Sequence, residues 1–332
     1  MGQTEAAPVR IAVCAVTKGG SQLARTLVGA LAGAELLDCR AGIAVAVQRA
    51  WPVYDGFVCI MAAGIVVRTI APLISDKRHD PAIVVCDERG RFAVSLLSGH
   101  VGGGNGLALR VAEITGGQAV ITTASDVLGL TALDLWMRKT GLIAEQAADV
   151  TRLSAILVNR GRLRVFCDTV VPELPQDLLE VADAGEADCI VSNRTGWTRA
   201  DALVLRPKNL VVGIGCNRGT AAADIGEALV ATLEENQLSS FSLHSLATID
   251  LKADEEGLLA AARGHGLPLV FFAKEELNRV EGVARSEAVF RATGAYAVAE
   301  PAALLAAGQG GRLIVPKRKY RDVTVAIVEK YL

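Results

Sequence analysis

Several patterns that would announce a dedicated chemistry are missing from this chain. No CxxC, HxH or HExxH spacing occurs, and the 4 histidines, His79, His100, His244 and His265, stand apart from one another and from cysteine partners. That count argues against a protein-bound zinc site. No Walker A sequence is present, which argues against a P-loop nucleotide enzyme. The 7 cysteines are odd in number and lie mostly in apolar runs such as IAVCAV, FVCIM and IVVCDE, so they read as reduced thiols packed as small hydrophobes. Charge of one sign is lacking too: 34 Lys+Arg against 36 Asp+Glu leave a net charge of -2, with no basic excess for non-specific nucleic-acid binding. The longest charge-free apolar run, residues 56–67, lies between Asp55 and Arg68 and is too short to span a bilayer. The first residues have no basic start, and their apolar segment is shorter than an export signal requires. Ala6 stands where a myristoylated Met-Gly start needs Ser or Thr. A soluble, cytoplasmic chain is the expectation.

What is present is enough apolar residue for a large core. With 332 residues, 51% of them hydrophobic, and a mean hydropathy of +0.36, intrinsic disorder is excluded and two or three domains are expected. Short β-branched runs at residues 10–16, 56–60, 82–86 and 92–96 alternate with amphipathic stretches at 21–31, 62–74 and 105–114. A strand at 119–122 and a helix at 130–139 continue the pattern. That rhythm predicts an α/β domain whose sheet is covered by helices on both faces. From 141 to 207 it loosens into a smaller α/β middle module with a Pro-containing acidic stretch. It resumes at 210–214, with helices from 221, 255, 286 and 300 and strands at 267–272, 313–315 and 323–328. The expected architecture is multi-domain α/β: layered α/β/α domains at residues 1–140 and 208–332 around a middle module at 141–207. Pro207 and Lys208 make a plausible hinge, because the residue before a proline is pushed out of helix.

The segment Ser98-Gly99-His100-Val101-Gly102-Gly103-Gly104-Asn105-Gly106 joins an apolar strand to a helix. Glycines remove side chains from the turn, so backbone N–H groups can approach an anion at the positive end of the helix dipole. His100 belongs to the residue type that titrates near neutrality and serves as a general base. The alternative is a tight turn whose histidine is satisfied by backbone. Ser98 is too close in sequence to His100 for the usual triad and suits a loop-holding or capping role. Asp126, in ITTASD, can either orient a histidine or start the next helix. A second glycine segment, Gly213-Ile214-Gly215-Cys216-Asn217-Arg218-Gly219, has GxGxxxG rather than GxGxxG spacing and no ribose-binding acid some 20 residues on, as a dinucleotide fingerprint would require. It reads as an anion-binding or a structural turn. Arg68, Lys77 with Arg78, Arg218, and the Lys317-Arg318-Lys319 run with Arg321 are either a solvated face or a set of ligands for several carboxylates or phosphates.

Residues 63–126, AGIVVRTIAPLISDKRHD through SGHVGGGNG to ITTASD, closely resemble the amino-terminal region of the cobalt-precorrin-5A hydrolase family of anaerobic cobalamin biosynthesis. The segments GIGCNRGT, ATIDLKADEEGL, EGVARSEAV and VPKRKYRDVTVAIVE resemble that family's last domain. Where the family reads GGANE, this chain has Gly102-Gly103-Gly104-Asn105-Gly106. The resemblance implies opening of a δ-lactone on a cobalt-bearing macrocycle and release of acetaldehyde, giving cobalt-precorrin-5B. Cobalt would arrive inside the substrate, so no cofactor or metal of the protein's own is implied. The acetate and propionate arms of that substrate would suit the glycine turns and the basic clusters. His100, Ser98 and Asp126 are then the catalytic candidates. Arg68, Gly99, Gly102, Gly103, Gly104, Asn105, Gly213, Gly215, Arg218, Lys317 and Lys319 are the substrate-binding candidates. Transient contact with a neighbouring methyltransferase of the pathway is an expected partnership, with neither nucleic acid nor membrane involved. Two other readings stay open: a non-catalytic tetrapyrrole-binding or transfer protein, and an enzyme of sugar phosphates or other small anions.

Overall fold

Strands covered on both faces need continuous apolar runs rather than alternation, and the runs IAVCA, GFVCI and AIVVC supply them. In the computed structural model, which describes residues 9–76, 79–100, 102–171, 174–197 and 202–332, these are the three central strands of a six-stranded sheet. Its members are β1 (Ile11–Ala15), β2 (Ala34–Leu36), β3 (Gly56–Ile60), β4 (Ala82–Cys86), β5 (Phe92–Leu97) and β6 (Gln118–Val120), in the order 2-1-3-4-5-6. The first four run parallel, and β5 reverses against β4. Helices α1 (Lys18–Ala30), α2 (Ile43–Ala50), α3 (Ala63–Ile70) and α4 (Gly104–Thr115) cover it. Alternate residues of β1 divide the core: Ile11 and Val13 pack with Leu27 of α1 and Val111 of α4. Ala12 and Cys14 face Val47 of α2 and Ile70 of α3. The helix expected at 130–139 is α6 (Leu133–Lys139), and a short helix that was not expected, α5 (Ala124–Leu128), precedes it and is ended by Gly129 at φ +66°. The chain divides into two compact units, one ending at Leu135 and the other running from Trp136 to Leu332.

The second unit holds two five-stranded sheets. The first contains β7 (Leu142–Ala144), β8 (Leu163–Cys167), β9 (Leu178–Glu180), β10 (Cys189–Val191) and β11 (Leu203–Pro207), in the order 7-11-10-8-9, with α7 (Ala147–Arg160) between β7 and β8. The second contains β12 (Leu210–Cys216), β13 (Leu243–Ile249), β14 (Leu269–Phe272), β15 (Arg312–Lys319) and β16 (Val323–Glu329), in the order 14-13-12-16-15. On one face of it lie α8 (Ala222–Glu235) and α9 (Glu256–Gly264). On the other lie α10 (Lys274–Arg279), α11 (Glu287–Thr293) and α12 (Ala299–Ala307). The expected hinge at Pro207 and Lys208 is instead tied down. Pro207 ends β11, the Lys208 N–H donates to the Gly141 carbonyl at 2.9 Å, and Asn209 is fully buried. Asn209 Nδ2 donates to Thr169 Oγ1 (3.0 Å) and Glu329 Oε1 (3.3 Å), and Asn193 Nδ2 donates to the same Glu329 oxygen at 2.7 Å. A buried polar group without these partners would be costly, so the knot locks the two sheets of this unit together.

The cysteines are free, and burial pushes the Cys86 thiol up to about 11 and the Cys167 thiol up to about 12, away from the thiolate that chemistry would need. Among the described residues no helix is long and apolar enough to cross a membrane.

The second glycine segment does not begin as a turn. The strand β12 continues through Cys216, so Gly213 and Gly215 lie inside it rather than in a turn. A Cβ on Gly213 would stand 1.7 Å from the Ala299 carbonyl oxygen, and one on Gly215 would stand 2.6 Å from Thr324 Oγ1. Both glycines therefore serve close packing, Gly213 by letting the start of α12 press directly on the strand. Gly213→Ala should cost about 1–3 kcal/mol by overpacking, read as a lowered urea midpoint; an unchanged midpoint would mean that α12 does not press on β12.

Candidate active site

The turn after β5 is built from side-chain-free positions folded back on themselves. Ser98 adopts φ +54°, a left-handed conformation uncommon outside glycine, and its Oγ donates to the Asp80 carbonyl at 2.8 Å. The N–H groups of Gly103, Gly104 and Asn105 donate to the carbonyls of His100 (2.9 Å), Ser98 (3.0 Å) and Gly99 (2.9 Å). A Cβ on Gly102 would come within 2.5 Å of Ser98 Cβ, and one on Gly99 within 2.6 Å of Asn105 Oδ1. Glycine is needed at both by close approach alone.

This folding presents His100 to two carboxylates. Its Nε2 lies 2.7 Å from Asp126 Oδ2, its Nδ1 lies 3.5 Å from Asp134 Oδ1, and the side chain is 17% exposed. A carboxylate only accepts, so Nε2–H donates to Asp126, and in the neutral ring the lone pair is then on Nδ1, on the Asp134 side. Asp126 Oδ2 also accepts from Asn105 Nδ2 at 2.8 Å, and the same amide reaches Thr123 Oγ1 at 3.2 Å. Asn105 is buried at 8% exposure. The arrangement is a histidine oriented by a carboxylate that is itself held by an amide, with one ring nitrogen available for a proton.

The structure thus brings together His100, Asp126, Asn105 and the glycines at 99, 102, 103 and 104. It changes some of their roles. Ser98 donates its hydroxyl to the Asp80 carbonyl and anchors the turn. Asn105 positions Asp126 instead of offering its amide to a ligand. The N–H groups of Gly103 and Gly104 are committed within the turn, so they do not form the expected anion pocket. Gly106 is exposed in the first turn of α4, where a Cβ would meet nothing within 4 Å, so this departure from the resembled motif leaves the His100–Asp126 pair intact. Arg68 is exposed in the last turn of α3, outside the hydrogen-bonded cluster. Val101, Lys77 and Arg78 lie outside the described residues. Asp134, in the first turn of α6, was missed because an acid there is most simply a partner of the helix dipole.

In the second unit, the Gly219 N–H is taken by Glu255 Oε1 at 2.6 Å, and Arg218 pairs with Asp254 at 3.1 Å, so the protein's own carboxylates fill the expected anion turn. Lys317 and Lys319 line a cavity with Gly215, Cys216, Lys252 and Arg321; Arg318 is exposed outside it. Among the described residues no group of three or more His, Cys, Asp or Glu could hold a metal ion.

Residues 45–126, which include His100, Asn105 and Asp126, match the family described as Cobalamin synthesis G N-terminal, and residues 210–328 match Cobalamin synthesis G C-terminus. The cobalt-precorrin-5A hydrolase of Priestia megaterium is 39% identical over 293 residues, covering 82% of this chain and 78% of that protein. The chain belongs to the cobalt-precorrin-5A hydrolase family. The cobalt-precorrin-5A hydrolase of Salmonella typhimurium is 32% identical, covering 96% of this chain and 97% of its own length. A crystal structure of a cobalamin biosynthesis protein G homologue from Sulfolobus solfataricus aligns over 96% of this chain and 97% of that one at 20% identity, with a TM-score of 0.38.

Within this family member, the geometry predicts that Asn105→Ala releases Asp126 and misplaces the imidazole. Turnover should fall by up to about 100-fold with KM little changed; an unchanged kcat would show that Asp126 is held without the amide.

Proposed function

We propose that the chain hydrolyses cobalt-precorrin-5A, opening its δ-lactone and releasing acetaldehyde to give cobalt-precorrin-5B. The observation that carries this reading at atomic level is the 2.7 Å contact from His100 Nε2 to Asp126 Oδ2, inside the segment matched to the family's amino-terminal region. Asp126 fixes the ring with Nε2–H, and Nδ1 takes a proton from water as the oxygen attacks the lactone carbonyl. Asp134, 3.5 Å from Nδ1 on the same side, orients that water by accepting its second hydrogen.

Collapse of the tetrahedral intermediate breaks the acyl C–O bond and leaves a carboxylate and a free alcohol. Loss of the alcohol proton then forms the aldehyde C=O, while the adjacent carbon–carbon bond breaks and its electron pair passes to the macrocycle, which is protonated. One water is consumed and one acetaldehyde leaves. Cobalt enters as part of the substrate, and the step needs no resident cofactor. This reading also includes work in the cytoplasm and transient contact with a methyltransferase that receives the ring-opened product, whose newly exposed carbon is the kind of position such an enzyme alkylates.

His100→Ala should slow acetaldehyde release by roughly two to four orders of magnitude, followed by trapping the aldehyde with alcohol dehydrogenase and reduced nicotinamide. Near-normal release by the folded variant would remove His100 from the mechanism. A wild-type chain that binds cobalt-precorrin-5A but leaves its lactone closed would be a carrier, not an enzyme.

A further inference from the structure

The parallel strands β12 and β13 and the start of α12 open on a cavity of about 380 Å³ whose lining includes none of the residues of the His100 turn. Ligands of open α/β sheets bind at the carboxyl ends of such strands, and that is where Cys216, Thr248 and Ile249 place this cavity. Its charge is lopsided: Lys252, Lys317, Lys319 and Arg321 line it, against a single carboxylate, Asp322. Lys252 is held by Glu255 at 3.0 Å, and Asp322 Oδ1 accepts from Asn217 Nδ2 at 2.8 Å. Among the described residues no carboxylate pairs with the ammonium of Lys317 or Lys319.

The fold aims these two lysines on purpose. Between Val315 and Arg318, β15 slips register against β16, a bulge that contains Pro316 and Lys317. Pro316 has no N–H for the ladder, and the Lys317 N–H bonds the buried Glu300 Oε1 at 2.9 Å, in the first turn of α12. A bulge re-aims side chains, and this one is clamped by a carboxylate of α12. The lining also includes an apolar set, Val289, Ala292 and Val298.

We infer that this cavity is a second binding site, separate from the His100 turn, that takes one carboxylate-bearing edge of an acidic macrocycle. Its apolar wall covers part of the ring face, and Lys317 and Lys319 engage the carboxylate arms. A volume at the low end of ligand sites admits one edge rather than a whole ring. The choice of a macrocycle rests on the proposed substrate; the anion chemistry of the cavity stands independently of it.

The test is titration of the full chain with uroporphyrin, followed by its fluorescence, at two salt concentrations. Lys317→Glu with Lys319→Glu should weaken binding at least tenfold, whereas Arg263→Glu, on the other face of the sheet, should leave it unaltered, and His100→Ala should retain it. Circular dichroism checks the fold, and the milder Lys317→Ala with Lys319→Ala pair should show the same direction. Unchanged affinity in both double variants overturns the site, as does an equal loss in Arg263→Glu, which would indicate general surface attraction. Displacement by inorganic phosphate at concentrations comparable to uroporphyrin overturns the macrocycle assignment. Lysine-dependent uroporphyrin binding in a wild type that releases no acetaldehyde would support this site while refuting the hydrolytic reading.

Discussion

The proposed mechanism turns on one contact, the hydrogen bond from His100 Nε2 to Asp126 Oδ2. It decides which ring nitrogen can accept a proton, and it exists only because the turn after β5 brings a histidine from a strand end against an aspartate in the first turn of α5. The turn does this by closing its own backbone hydrogen bonds and by leaving no room for side chains at Gly99 and Gly102. Ser98 contributes at the cost of an unusual backbone conformation, secured through Asp80. Strained residues of this sort persist where the surroundings over-determine them, and functional turns are where they collect.

The second unit works by a different economy. There Gly213 lets α12 approach β12 until the Ala299 carbonyl occupies the place of a side chain. That approach, with the Glu300 contact to the bulge in β15, shapes the cationic cavity. The buried knot of Asn193, Asn209, Thr169 and Glu329 holds the middle sheet to this domain, so the residues around Pro207 act as a joint without freedom.

Much of this was legible in the sequence, for physical reasons. Apolar runs without alternation gave the central strands, and His100 in a glycine-rich turn and Asp126 ahead of a helix pointed to a site because those residue types in such turns can orient and move a proton. The pairing of those two residues could be weighed from sequence as one of two roles for Asp126; only coordinates supply the 2.7 Å. What escaped was whatever depends on neighbours distant along the chain. Asn105 looked like a ligand group because its acceptor lies 21 residues away. Gly213 and Gly215 imitated a phosphate turn because nothing local reveals that α12 presses on the first and Thr324 of β16 on the second, both distant along the chain. The strand β13 was overlooked because a histidine and a serine interrupt the start of LHSLATI, although most of its residues are buried. The short strands β2, β7 and β9 carry too few residues for a period to emerge.

The most direct measurement is a crystal structure of the protein with an unreactive cobalt-corrinoid lactone analogue. The account predicts the lactone carbonyl carbon about 3.5 Å from a water bound to His100 Nδ1, a near-attack distance. A ring bound with its lactone elsewhere, and the His100 turn unoccupied, would contradict it.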